Sequence, residues 1–270
     1  MRRMLGLISA ETWENPGWIA RWRYRWQKGY GTEMVQQALF GGTALYLRHR
    51  VIDGASSRQK LKRRNALAGI LADKGIEKVA VSLGAPADAL EGVPIPQMDA
   101  RYLHTYLAGD VGAHAAEGSG ATAVCFFRSV REAEERAILK LARAFRYLQI
   151  ITQRDGEAVC QAIRRRYGLP VVEAPTPSQV RRAEFALVFH PPGRTFVLSG
   201  RCLAFAPDAA LRGEIPGGRL ITGVELQLSR QVATGLPEGF APDPILSEAA
   251  FRGLIDPGKI KIQGILVEKL

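Results

Sequence analysis

The amino-acid sequence predicts an α/β fold, a mostly parallel sheet with helices on both faces that divides into two α/β halves. Three observations carry that expectation. Short apolar runs alternate with amphipathic stretches of about ten to fifteen residues, the pattern of parallel strands joined by helices. One run, Ala121 to Phe127 (ATAVCFF), is apolar throughout, as a strand covered on both faces must be. A length of 270 residues is comfortable for two small domains.

Hydrophobic residues make up 47% of the chain and charged residues 23%, which suits a globular core and excludes a disordered or fibrous chain. No window approaches the ~20 continuous apolar residues of a membrane span. The apolar stretch Met4 to Ala10 is short and runs at once into Glu11 and Glu14, unlike a signal peptide. A cytoplasmic protein with no membrane association is expected. The three cysteines, Cys125, Cys160 and Cys202, are odd in number, far apart and flanked by apolar residues, so core thiols are expected rather than disulfides or zinc ligands. Positive charge is concentrated at one end. Residues 1–80 hold 15 Lys and Arg against 6 Asp and Glu, while the remainder holds 22 against 20. Such a surplus attracts polyanions, although a solvated face of a basic protein has the same composition.

In the N-terminal half, Met4 to Ser9 reads as a short strand and Asn15-Pro16-Gly17 as a break. Trp18 to Gln27 then carries Trp18, Trp22 and Trp26 at a spacing of four, one stripe of a helix, with Arg21, Arg23, Arg25 and Lys28 around it. Gly29-Tyr30-Gly31 ends the segment. Thr43 to Val51 alternates Leu45, Leu47 and His49 with Tyr46, Arg48 and Arg50, as a strand does. After the Asp53-Gly54 turn, Ser56 or Ser57 caps a helix to about Lys74 whose buried stripe is Leu61, Leu67, Ala68 and Leu71; Gly75 ends it. Lys78 to Leu83 is a strand, so 43–83 forms a βαβ unit. Residues 84–97 read as a loop, and Asp99 caps a helix through about Ala116. Gly118-Ser119-Gly120 marks the expected boundary between a basic half, 1–118, and a second half, 119–270.

The second half is more regular. Ala121 to Phe127 is a strand, Ser129 and Glu132 form a capping box, and a helix follows to about Phe145. Tyr147 to Thr152 is a strand, Asp155 caps a helix ended by Gly168, and Pro170 to Ala174 is a short strand. Thr176-Pro177 opens a brief helix and Phe185 to His190 is a strand. Two short strands, 195–199 and 201–205, meet at a bend at Gly200. Residues 206–244 are rich in proline and glycine, with a strand from Arg219 to Leu228. A helix over 244–255 capped by Asp243 and a strand over 260–267 complete the chain.

Residues 121–190, about a quarter of the chain, resemble the first half of a Rossmann domain such as those of NAD(P)-dependent dehydrogenases. The resemblance implies a dinucleotide site with G-x-G-x-x-G after the first strand, where backbone amides approach the pyrophosphate. This sequence places Phe127, Arg128, Ser129, Val130, Arg131 and Glu132 there, without a glycine. No cofactor is therefore expected, and NAD(P) enters only under an alternative reading with an atypical site. After the second strand Arg154 stands where a ribose or 2′-phosphate contact would be, and Arg128 could pair with an anion at the helix start.

No catalytic residue or metal ligand is identified. His49, His104, His114 and His190 lack metal-ligand spacing, and neither a G-x-S-x-G elbow nor a Walker A sequence is present. Asp110 and His114 share a helical face as a surface pair. The leading expectation is a binding or regulatory module with a ligand at the carboxyl edge of the parallel strands, at Arg128, Ser129, Thr152, Arg154 and His190. Protein partners or self-association are compatible with it. One alternative is an NAD(P)-dependent oxidoreductase. The other is a nucleic-acid-binding protein using Trp18, Arg21, Trp22, Arg23, Arg25 and Trp26, since indoles and cations together form single-strand sites. A tryptophan stripe is more usually a packing face, so the indoles are expected to dock this helix on the sheet or on a partner.

Overall fold

Two sheets take up the apolar runs in the computed structural model, which describes residues 4–27, 30–86, 90–91, 93–116, 122–154, 156–193 and 195–269. The expected boundary at Gly118-Ser119-Gly120 and the Asp155 cap lie outside the described residues. In chain order the first elements are β1 (Leu5–Trp13), α1 (Trp18–Trp26), β2 (Thr32–Leu39), β3 (Gly42–Ile52), α2 (Ser57–Asp73) and β4 (Val79–Val81). Then come α3 (Arg101–Ala115), β5 (Thr122–Phe127), α4 (Glu132–Ala144), β6 (Tyr147–Thr152), α5 (Gly156–Tyr167), β7 (Val171–Glu173), α6 (Pro177–Val180) and β8 (Phe185–Val188). The last are β9 (Leu198–Phe205), β10 (Gly217–Gln227), α7 (Arg230–Gly235), α8 (Pro242–Phe251) and β11 (Lys261–Lys269).

The chain divides into one unit of Met1–Asp99 with Arg230–Ile255 and another of Ala100–Ser229 with Asp256–Leu270. Helix α3, on the N-terminal side of the expected boundary at 118, thus belongs to the second unit. Leu107, Ala108 and Val111 of α3 are fully buried there, Ala108 and Val111 in one core with Phe185 and Phe205. Segment 230–255 returns to the first unit, where Ile245 of α8 packs with Leu5, Leu7 and Met98.

The first unit holds a four-stranded sheet ordered β2-β3-β1-β4, with β3 and β4 parallel to β1 and β2 antiparallel to β3. Helix α2 covers one face through Leu67 and Leu71. Ser56 accepts from the Gln59 amide while Gln59 Oε1 accepts from the Ser56 amide at 3.0 Å, a reciprocal cap. Leu61, expected in the buried stripe, is exposed, and Arg63 is buried instead. Strand β2 has no counterpart in the sequence reading. Residues 33–38 are exposed on both faces, so no alternation marks them; the hairpin turn at Phe40 (φ 52) and Gly41 (φ 76) holds them in register.

The second unit holds a seven-stranded sheet ordered β11-β10-β9-β8-β5-β6-β7, parallel except for β11. Within it β7-β6-β5-β8 is the Rossmann order 3-2-1-4, reached because α4 and α5 lie on one face and α6 crosses to the other. The order places the switch point, where the chain reverses the side on which it adds strands, between the parallel neighbours β5 and β8. Three local expectations are corrected. Helix α4 starts two residues late: Arg131 is its N-cap, and its amide donates to Glu134 Oε2 at 3.1 Å, in place of the Ser129–Glu132 box. The two strands expected about Gly200 are one, β9, because Leu198 pairs with Gly217 and Leu203 with Phe185 across the same strand. The last helix is capped at Ala241 rather than Asp243.

Close packing of α3 on α4 requires glycine. A Cβ on Gly112 would overlap Leu141 Cδ2 and stand 2.8 Å from Phe185 Cε1, whereas a Cβ on Gly69 of α2 meets nothing within 4 Å. Gly112→Ala should therefore lower stability by about 1–3 kcal/mol through overpacking. Gly69→Ala should raise it by about 0.5–1 kcal/mol through helix propensity alone. Urea titrations of both variants check this; a stabilised Gly112→Ala would refute the packing account.

Candidate functional site

Helix α1 opens after Pro16-Gly17 and spans nine residues, two and a half turns with a single buried side chain, Tyr24. Its inner face is set by a stack. The Arg63 guanidinium of α2 lies 4.4 Å from the Tyr24 ring centroid, and Arg63 Nη1 donates to the Gln27 carbonyl at 2.6 Å, just past the helix end. Gly31 (φ 91) closes over the other side, where a Cβ would stand 3.5 Å from the Tyr24 ring.

With Tyr24 inward, the tryptophan stripe faces out. Trp18, Trp22 and Trp26 are 78%, 55% and 61% exposed, which overturns their expected role as this chain's packing face. Helical rotation of ~100° per residue puts Arg21 and Arg25 on one flank of the stripe and Arg23 on the other. All three arginines are exposed. Arg21 Nε donates to the Pro16 carbonyl at 3.2 Å and Arg25 lies 5.3 Å from the Trp26 ring centroid. Among the described residues no carboxylate pairs with any of the three. Beside the indoles is a hollow of about 400 Å³, bounded by α1, the turn at Ile52-Asp53-Gly54-Ala55 and Gln59 in the first turn of α2. That volume falls among small-ligand sites, ~300–1,000 Å³.

Beneath α1, Arg63 Nη2 and His49 Nε2 are buried with no hydrogen-bond partner among the described residues. His49 lies on β3 opposite Thr32 of β2, whose hydroxyl meets Nδ1 at 3.0 Å. Burial, and then Arg63 and Arg64, depress the His49 pKa to about 4. Burial pushes the Tyr24 phenol up, against the pull of Arg63.

The predicted small-ligand residues stand together elsewhere. Arg128, Thr152 and His190 follow or end β5, β6 and β8, which are neighbours in the second sheet, and Ser129 and Arg154 adjoin them. Arg128 and Arg154 are exposed; Ser129, Thr152 and His190 are half-buried. The Thr152 hydroxyl is buried with no partner among the described residues, and a Cβ on Gly156 would stand 2.7 Å from it. Aromatic pairs pack at the reversal point: Phe127 on Phe189 (5.4 Å) on one face and Phe126 on Phe196 (5.9 Å) on the other. The Phe189 and His190 amides both donate to the Phe126 carbonyl. The first turn of α4 carries Glu132, Glu134 and Glu135, three charges that oppose an anion at this helix end.

A second hollow, about 310 Å³, lies between α3, α4 and the start of β11. Asp110 and His114 line it together, and Lys140 Nζ pairs with the Asp110 carboxylate. Among the described residues no three His, Cys, Asp or Glu side chains gather as metal ligands, and no helix is long and apolar enough to cross a membrane. The cysteines are buried and free; burial raises each thiol pKa, that of Cys202 to about 12.

No protein-family model matches the chain, and no curated protein matches it. Among solved structures it is similar to a putative aspartate carbamoyltransferase from Trypanosoma cruzi, at 12% identity over 91% of this chain and 83% of that chain, TM-score 0.28. It is also similar to an L-tryptophan dehydrogenase from Nostoc punctiforme, at 10% identity over 94% and 76%, TM-score 0.33. A phosphoglycerate oxidoreductase from Vibrio cholerae shares 9% identity over 90% and 88%, TM-score 0.30. Similarity at these scores carries no functional argument, and the fold class rests on the strand order of the chain itself.

Protonating His49 would add a charge beside Arg63 and Arg64, so the folded protein keeps it neutral down to about pH 4 while the unfolded chain protonates near 6.5. Stability should be unaffected above pH 6.5 and fall progressively below it, by about 2–3 kcal/mol at pH 4.5. Denaturant titrations at pH 7 and 4.5 test this against His49→Gln. The variant should lose less on acidification, and an equal loss would assign the acid sensitivity to other groups.

Proposed function

We propose that this chain binds single-stranded nucleic acid through α1 and the hollow beside it. The observation that carries the reading is the outward stripe of Trp18, Trp22 and Trp26 interleaved with the exposed Arg21, Arg23 and Arg25, which pair with no carboxylate among the described residues. Exposed indoles supply stacking faces and the guanidiniums supply phosphate contacts, the two components of single-strand sites. Four residues of helix rise ~6 Å, wider than the ~3.4 Å step of one strand in a duplex. A strand must therefore be unstacked and extended to lay one base on each indole. The charge surplus of residues 1–80 has the sign required to draw a polyanion to this unit.

Two other readings fit less well. An amphipathic anchor lying in a membrane interface would carry the Asp53 carboxylate toward the lipid along with the indoles, at a desolvation cost. A small ligand or NAD(P) at Arg128, Ser129, Thr152, Arg154 and His190 would meet the paired phenylalanines and the acidic start of α4.

Tryptophan fluorescence and anisotropy with a labelled twelve-residue oligothymidylate test the proposal. Binding should quench the indoles, exceed binding to a duplex of equal length, and weaken roughly tenfold in Trp22→Ala. Each arginine removed from 21, 23 and 25 should lower the slope of log affinity against log salt by about 0.7. Binding to anionic vesicles but not to oligonucleotides would replace this reading with the membrane one.

A further inference from the structure

We infer that the hollow beside α1 selects guanine, an inference that rests on the single-strand reading above. The hollow has more than stacking surface. Asp53 and Gln59 line it together with Trp18, Trp22 and Trp26. The Asp53 carboxylate is exposed, and among the described residues no hydrogen bond or ion pair engages it. Gln59 is half committed. Its Oε1 accepts from the Ser56 amide and hydroxyl at 3.0 and 3.2 Å, which holds the carboxamide, and among the described residues Nε2 donates to no partner.

A base resting on an indole in this hollow thus meets a carboxylate and an amide donor at its edge. In a single strand the Watson–Crick edge is free to be read. A carboxylate offers only acceptors, and two of them side by side. Guanine alone presents two donors side by side, N1–H and the N2 amino group, with an acceptor, O6, next to them. Asp53 accepts from both donors and Gln59 Nε2 donates to O6. Adenine and cytosine each present one amino donor beside a ring nitrogen acceptor, which faces the carboxylate unfavourably. Uracil and thymine present a single N–H between two carbonyls.

The backbone fixes these groups without help from a ligand. Asp53 precedes Gly54 (φ 72) in a tight turn, and the Asp53 amide donates to the Trp13 carbonyl at 3.3 Å, so the turn is tied to the end of β1. Gln59 is held by the helix cap. The selectivity belongs to the edge of the hollow and the general affinity to the indoles and arginines, so the two can be separated.

Oligothymidylates of twelve residues carrying one central G, inosine, A or C test the inference. The G-containing strand should bind roughly tenfold more tightly than the A and C strands. Inosine, which lacks the N2 amino group, should fall between. Asp53→Asn, which an Asp-Gly turn accommodates, should abolish the preference, so that the G, A and C strands bind alike. Gln59→Glu keeps the cap acceptor, removes the donor and should also reduce it. Equal affinity for G, A and C, or a preference that survives Asp53→Asn, overturns the guanine inference while leaving single-strand binding intact. Failure of every oligonucleotide to bind overturns the single-strand reading itself.

Discussion

A buried guanidinium decides the character of the first unit. Arg63 is 3% exposed, stacked on Tyr24 and bonded to the carbonyl that follows α1. A desolvated cation over an aromatic face contributes about 2 kcal/mol, and the bond to the Gln27 carbonyl offsets part of the cost of taking the charge out of water. That arrangement selects which side of a short helix turns inward. Burial of indoles would otherwise dominate, since each offers ~150–250 Å² of apolar surface. With Tyr24 fixed, the indoles have no place inside and stand beside the turn at Asp53-Gly54, where the hollow forms.

The same constraint explains the unusual electrostatics beneath the helix. Burial disfavours a charge on His49, and Arg63 and Arg64 add to it, so the imidazole stays neutral well below its ordinary range. Two buried polar atoms in this region, on His49 and Arg63, have no hydrogen-bond partner among the described residues. Each carries a desolvation penalty of about 1–3 kcal/mol.

In the second unit the order β7-β6-β5-β8 reproduces a ligand-binding architecture, yet its reversal point is packed by Phe126, Phe127, Phe189 and Phe196. Helix α4 begins with carboxylates where dinucleotide sites present bare amides. Architecture and site are separable, and this sheet illustrates why fold alone does not assign chemistry. Glycine is used here for helix packing, at Gly109 and Gly112, rather than for approach to a phosphate.

By itself the sequence determined the elements whose signal is local. The buried strands β5, β6 and β8, a cap at Ser56 or Ser57, the helix opening at Thr176-Pro177, the glycine stops at Gly75 and Gly168 and the missing glycine loop all follow from short-range periodicity and backbone stereochemistry. Strand β2 escaped because an edge strand exposed on both faces has no alternation to read. The start of α4 slipped because Glu134 competed with Glu132 for the same capping role. Only the tertiary structure decided which face of α1 is buried, that α3 and segment 230–255 exchange units, and that Asp53 and Gln59 line one hollow with the indoles. Those outcomes depend on contacts between residues remote in the chain, above all Arg63 with Tyr24. Local periodicity shows that a stripe exists, and only the partner across the fold settles whether it faces inward.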